Sequence, residues 1–235
     1  EGLTHARGDL HPRGQVAVLV GHAAQVFGQG AHQRATQRRA GDVAQRAQLV
    51  AELAQLAAHL QKGLKPLYTL HGDEPLLIQE AADAIRAAAR AQGYTERTVF
   101  TVAGAHFDWS AVLASGGEMS LFGDRQLVEV RIPSGKPGKE GSAALQQLAE
   151  LASRNDSVLT LVLLPRLDGA TLKGAWFGAL DSFGTTVRVD PVERHALPQW
   201  IAQRLAQQQQ RVCAGEEGQR TLQFFADRVE GNLLA

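Results

Sequence analysis

Two stretches of this chain combine residue types that could handle a phosphate. His71-Gly72-Asp73-Glu74-Pro75 follows a short apolar run, Leu67-Tyr68-Thr69-Leu70, and opens a helix. That is where an α/β sheet usually receives a nucleotide, on the N–H groups of a helix N-terminus. A phosphate loop needs glycines to bring backbone N–H groups close, a lysine for the terminal phosphates and a hydroxyl for magnesium. This turn has one glycine, no lysine and two carboxylates where phosphates would sit, and Pro75 removes an N–H donor. It would repel a triphosphate, and no dinucleotide GxGxxG loop stands there either. Ser134-Gly135-Lys136-Pro137-Gly138-Lys139 resembles a phosphate loop only superficially. The spacing is wrong, so it reads as a solvated loop, with Lys136 and Lys139 left as candidate contacts to DNA phosphates or to a partner's acidic patch.

Other reactive side chains lack companions. Asp168 follows the most apolar strand, but with no second acid or histidine beside it the residue reads as a helix cap. Arg166 and Lys173 read as surface charges. His195 has no nucleophile partner and Cys213 no histidine partner, so neither supports nucleophilic catalysis. His5, His11, His22 and His32 are spaced 6, 11 and 10 apart, which matches no common ligand pattern. No cofactor, metal or catalytic residue is therefore expected. The remaining rival is an α/β ATPase whose active site goes unrecognised.

The elements that must position these residues follow from composition and periodicity. The 235 residues carry 24 basic and 24 acidic side chains, so no global field draws the chain to nucleic acid. A single cysteine excludes a disulfide framework and fits a reducing cytoplasm. No secretory signal and no membrane-spanning run of about 18 apolar residues is present. Residues 1–50 are rich in Ala, Gln, Arg, His and Gly and cannot build a core. They read as a disordered or artefactual extension. From about Val50 the pattern becomes regular, beginning with a helix through Leu53, Leu56 and Leu60 that Gly63 stops. Strands are expected at 67–70, 98–102, 126–132, 158–164 and 186–189. Helices are expected from Pro75 to about Gln92 and at 107–113, 143–152 and 170–180. This alternation predicts a parallel, doubly wound α/β sheet over residues 51–190, with the 158–164 strand central. Residues 191–235 carry only helical patterns, 196–209, 216–229 and a start at 230–234, and read as a small helical domain that stops before its end. Trp109, Trp176 and Trp200 are expected in the core.

Between the second helix-strand unit and the third strand stands Gly117-Glu118-Met119-Ser120-Leu121-Phe122-Gly123. Apolar residues framed by glycines are either a turn folded back on the core or a short plug presented to another protein's pocket. The residues alone leave both readings open.

Five segments in this order resemble one family. They are Leu67-Tyr68-Thr69-Leu70-His71-Gly72-Asp73-Glu74-Pro75-Leu76-Leu77, the Met119-Ser120-Leu121-Phe122 turn with the strand after it, Lys173-Gly174-Ala175-Trp176-Phe177-Gly178-Ala179-Leu180, Leu197-Pro198-Gln199-Trp200-Ile201, and Val229-Glu230-Gly231-Asn232-Leu233-Leu234-Ala235. Together they look like the delta subunit of bacterial DNA polymerase III, a clamp-loader component, over roughly residues 53–235. The resemblance implies an AAA+-like sheet flanked by helices, then a helical lid and a collar domain. The lid is incomplete at residue 235 and the collar lies beyond it. The resemblance also implies a replication protein without catalysis of its own, a subunit of a nucleotidyltransferase holoenzyme. Its role would be to bind and open the sliding clamp, the beta subunit, for loading onto primed DNA. Its partners would be the clamp and the delta-prime and gamma/tau loader subunits. Met119, Ser120, Leu121 and Phe122 would be the clamp-binding residues, with Gly116, Gly117 and Gly123 letting them swing outward.

Overall fold

The structure, a computed structural model, describes residues 56–104, 106–117 and 125–234. The expectations for residues 1–50 and for Met119, Ser120, Leu121 and Phe122 lie outside the described residues.

The expected α/β fold, a parallel sheet flanked by helices, is present. Five strands, β1 (Leu67–Gly72), β2 (Tyr94–Thr101), β3 (Arg125–Arg131), β4 (Val158–Pro165) and β5 (Thr185–Val189), lie in the order β2-β3-β4-β1-β5, with every ladder parallel. As expected, β4 is central. It reads as a continuous apolar run because helices cover both its faces.

Alternate residues of each strand feed two cores. On one face, Val128, Val130, Ile132 and Val162 pack under α3 (Trp109–Gly117), α4 (Gly138–Ala152) and α6 (Ala175–Phe183), which bring Trp109, Leu145, Leu148, Trp176, Phe177 and Leu180. On the other, Tyr68, Leu70, Leu127, Leu159 and Leu161 pack under α1 (56–62 as far as it is described) and α2 (Pro75–Ala91). The buried stripe of α2 is Leu77, Ala81, Ala82, Ile85, Arg86 and Ala89. Its alanines let the helix lie close to the sheet, and its one charged member needs a partner. Glu74 caps α2, Pro75 stands at its start, and Gly93, at φ +91°, takes the left-handed conformation just beyond its end.

Several boundaries differ from expectation. His71 and Gly72 belong to β1 rather than to a turn, because they continue the ladder to Arg188 and Val189 of β5. β2 begins at Tyr94, four residues early. α3 runs on to Gly117, so Gly116 and Gly117 are helical and do not form a hinge. Gly116 is buried, and a Cβ there would stand 2.5 Å from Leu148 Cδ1, so the glycine serves close packing on α4. The expected loop at 134–141 is shorter, since α4 begins at Gly138. The helix expected at 170–180 is two helices, α5 (Gly169–Leu172) and α6, because Gly174 takes an extended conformation and caps α6. Residues 230–234 form turns and not a helix.

After β5, a single 3-10 turn (Arg194–Ala196) leads into α7 (Leu197–Gln207), followed by α8 (Glu216–Val229). Arg194 joins the pair by bonding Asp227 at 3.1 Å and Glu230 at 3.2 Å. α7 meets the sheet layer through Trp200 on the α2-side core and through an ion pair from Arg204 to Glu80 of α2, and its Leu197 is buried. Trp200 is thus half-buried, not fully in the core, and its ring supports the Arg204 guanidinium 4.2 Å from the centroid.

Candidate functional site

The C-terminal ends of β1, β4 and β5 converge where an α/β sheet would hold a nucleotide. Here each group that could meet a phosphate is already engaged. Asp73 donates its N–H to Val189 O at 3.2 Å, and its carboxylate accepts a 2.9 Å bond from Arg166, which follows β4. Arg166 is the surface charge expected from sequence, and it is paired with Asp73. The Glu74 carboxylate accepts from Leu76 N at 3.3 Å and so fills the anion position of the helix N-terminus. Glu74 is buried, and burial raises its carboxyl pKa, with the Asp73 charge adding to the rise and the Leu76 N–H opposing it. Gly72 answers to packing, since a Cβ there would stand 1.8 Å from Val189 O.

His71 ends this group. It is buried, with its ring edge-on to Phe177 at 5.4 Å. Burial lowers its pKa and the Arg188 charge lowers it further, against the pull of Asp190 and Asp181. It meets neither a nucleophile nor a carboxylate in hydrogen-bond contact among the described residues.

The remaining sequence candidates lie apart. Lys136 and Lys139 are exposed, one in the β3–α4 connection and one in the first turn of α4, and neither enters an ion pair among the described residues. The connection is not loose. Lys136 N donates to Ser134 Oγ at 3.2 Å, and Gly135, at φ +66°, is buried against Pro165 and Leu167. Asp168 caps α5 as expected, accepting from Thr171 N at 2.7 Å. His195 and Cys213 are exposed. No group of three metal-ligating side chains occurs among the described residues, and no described helix is long and apolar enough to cross a membrane. α3 ends at Gly117 and β3 starts at Arg125; the candidates Met119, Ser120, Leu121 and Phe122 between them lie outside the described residues.

One constellation escaped the sequence reading. Glu129 of β3, fully buried, accepts five hydrogen bonds from three arginines. Arg86 of α2 binds both its oxygens at 3.0 and 2.9 Å and turns its third nitrogen to Asp83 at 2.6 Å. Arg97 of β2 and Arg131 of β3 complete the ring at 2.8 and 2.7 Å. Burial pushes the Glu129 carboxyl pKa up, but the bonds from Arg131 and Arg97 and the charge of Arg86 outweigh it and hold the pKa below the ordinary glutamate value. The available signals were a glutamate in the buried register of an apolar strand and an arginine inside the apolar stripe of α2.

The comparisons with known proteins agree with one another. Residues 68–190, more than half of the chain, match the family described as DNA polymerase III, delta subunit. The DNA polymerase III subunit delta of Escherichia coli strain K12 is 35% identical over 181 residues, 77% of this chain and 50% of that protein. The Haemophilus influenzae subunit delta is 28% identical over 187 residues, 77% of this chain and 51% of that protein. Among solved structures, the Bacillus subtilis DNA clamp loader delta protein superposes with a TM-score of 0.55 at 19% identity, covering 77% of this chain and 53% of that one, a likeness of fold. The chain spans about half the length of the curated relatives it matches. The family match over more than half of the chain and the 35% identity to the Escherichia coli subunit lead to one conclusion: the chain belongs to the DNA polymerase III delta subunit family.

Proposed function

We propose that this chain binds and opens the sliding clamp in DNA replication, as part of a clamp loader whose ATP is hydrolysed on other subunits. The observation that carries the reading is the Asp73–Arg166 pair beside the Glu74 cap, a nucleotide position filled by the chain's own charges in a member of this family. Such a module has no catalytic step to perform and acts through its surfaces. Leu121 and Phe122 would anchor in an apolar pocket of the clamp, with Met119 pressed beside them and Ser120 keeping the turn narrow. Burying the two anchors contributes about 1.5–3 kcal/mol each before association costs. The delta-prime and gamma/tau subunits would be its neighbours, primed DNA would be reached through the complex, and the compartment would be the cytoplasm. In this reading residues 51–190 are the AAA+-like unit, residues 191–235 belong to a helical lid, and residues 1–50 take no part.

The test is a Leu121→Ala, Phe122→Ala double variant titrated against the purified cognate sliding clamp, with thermal melting as a control on folding. The expected result is an affinity loss of about a hundredfold or more at unchanged melting temperature. Undiminished affinity in a folded variant removes the plug. The rival ATPase is tested by equilibrium dialysis with ATP and magnesium, where micromolar binding would overturn the assignment of ATP chemistry to other subunits.

A further inference from the structure

The arginine ring around Glu129 holds more positive charge than the buried carboxylate requires. Arg86, 7% exposed, pairs bidentately with Glu129 and, with Asp83, uses all three of its nitrogens. In formal charge that one arginine already matches the glutamate. Arg97 and Arg131 are added to it, and they remain 41% and 40% exposed. Three guanidiniums face two carboxylates in this group, so it carries an excess positive charge.

The geometry fixes where that charge points. Arg97 gives Nε and Nη2 to one oxygen of Glu129, and Arg131 gives Nε to the other. Being tied to one carboxylate, the two guanidiniums sit side by side with their rotamers set. Nη1 of Arg97 and both Nη atoms of Arg131 have no acceptor among the described residues. Val99, directly across the ladder from Glu129 on the same sheet face, is 41% exposed. These residues lie on β2 and β3, with β2 at the edge of the sheet.

We propose that Arg97 and Arg131, held by Glu129, form a docking surface for a carboxylate-bearing segment of a protein partner, with Val99 receiving an apolar side chain next to the acid. Preorganised guanidiniums lose little entropy on binding an acid, and arginine beside an apolar contact is the usual composition of a protein interface. A nucleic acid fits less well. Glu129 and Asp83 neutralise much of the local charge, and the chain as a whole balances 24 cations against 24 anions, which leaves little counterion release to drive phosphate binding. This surface rests on the arginine geometry and is independent of the Leu121 and Phe122 plug.

The experiment compares the full chain with an Arg97→Ala, Arg131→Ala variant and with Arg131→Gln, which retains a donor for Glu129 and sheds the charge. Each is titrated against the purified sliding clamp, the purified delta-prime and gamma/tau subunits, and a primed DNA, at low and high salt, and each is melted. The expected result is a loss of about tenfold or more in affinity for one of the proteins, shrinking at high salt, with Arg131→Gln still melting cooperatively as a folded chain. Adding Leu121→Ala and Phe122→Ala separates the two surfaces, because the arginine effect on its partner must persist in that background. Unchanged affinity for every protein overturns the proposal, and a loss confined to DNA overturns it in favour of a phosphate surface.

Discussion

The β1–α2 turn and the Glu129 ring both bring acids against arginines that are distant in sequence, yet the two regions use charge in opposite ways. At the turn, Arg166 is 69% exposed and Asp73 30%, and their bond is open to solvent. On β3, the carboxylate is completely buried and the first guanidinium nearly so. An exposed pair can be gained or lost at little energetic cost. A buried carboxylate has no such freedom, because water cannot replace a lost partner. Exposed charge at one site is paired within the chain at the surface, while buried charge at the other fixes how α2 sits on the sheet.

The largest test of this contrast removes Arg86. Arg86→Ala leaves Glu129 buried with only two half-exposed partners and should cost about 3–5 kcal/mol in denaturant unfolding. Replacing both partners, Arg86→Met with Glu129→Leu, should recover most of that loss, since apolar groups of similar volume need no compensation. A single-variant cost close to that of a surface substitution would break the distinction between the two regions.

Gly72 sharpens the contrast from the other side. A phosphate-binding glycine would tolerate alanine in folding and lose only its ligand. Here the added Cβ would stand 1.8 Å from Val189 O, so β1 and β5 must separate. Gly72→Ala should destabilise by about 1–3 kcal/mol, read as a lowered denaturation midpoint without added ligand. Wild-type stability for this variant would return the glycine to a ligand-binding role.

The sequence made one region legible and hid the other for a physical reason. The turn is local. His71 to Pro75 lie within five consecutive residues, and the missing lysine and the misplaced acids could be read directly. The strand alternation was likewise legible, because all five strands carry their own apolar register. Glu129 and Arg86 are 43 residues apart, and neither sequence neighbourhood names the other. Only the ladder between β2 and β3 and the seating of α2 bring Arg97 and Arg86 to the same carboxylate. The length of α3 was misjudged because Gly116 and Gly117 look like turn residues, whereas the close approach of Leu148 is a tertiary demand for a small residue. The split at Gly174 similarly depends on a backbone conformation that glycine permits and does not announce.

Acid titration separates the regions by pH window. The fold lowers the His71 pKa from its ordinary 6.5, so the unfolded chain takes up the proton first. Stability from the neutral ring is complete above about 6.5 and is lost as pH falls through the lower folded value. Glu129 is lowered from about 4.5. Its contribution is complete above that value and is lost as pH falls through the folded value in turn. Melting against pH should therefore show a first decline that sets in below about 6.5 and a second that sets in below about 4.5. His71→Leu should flatten the first and leave the second. Glu129→Gln should flatten the second, from a lower starting stability at neutral pH because an amide cannot satisfy three guanidiniums. A single decline that neither variant alters would mean that other carboxylates control the acid limit.

The smallest effect belongs to the exposed pair and is the most discriminating about function. Arg166→Ala should leave the denaturation midpoint unchanged, since Asp73 then faces solvent. It should also leave ATP unbound in equilibrium dialysis. Freeing Asp73 restores no cradle, because Glu74 still caps the helix through Leu76 N and Pro75 still lacks its donor. Should Arg166→Ala, or the same variant with Asp73→Asn, acquire micromolar affinity for magnesium-ATP, the pair would be a gate over a working site rather than a replacement for one. The absence of both changes would agree with the proposal that the module acts through its surfaces, where Leu121 with Phe122 and the Arg97–Arg131 pair can be tested separately.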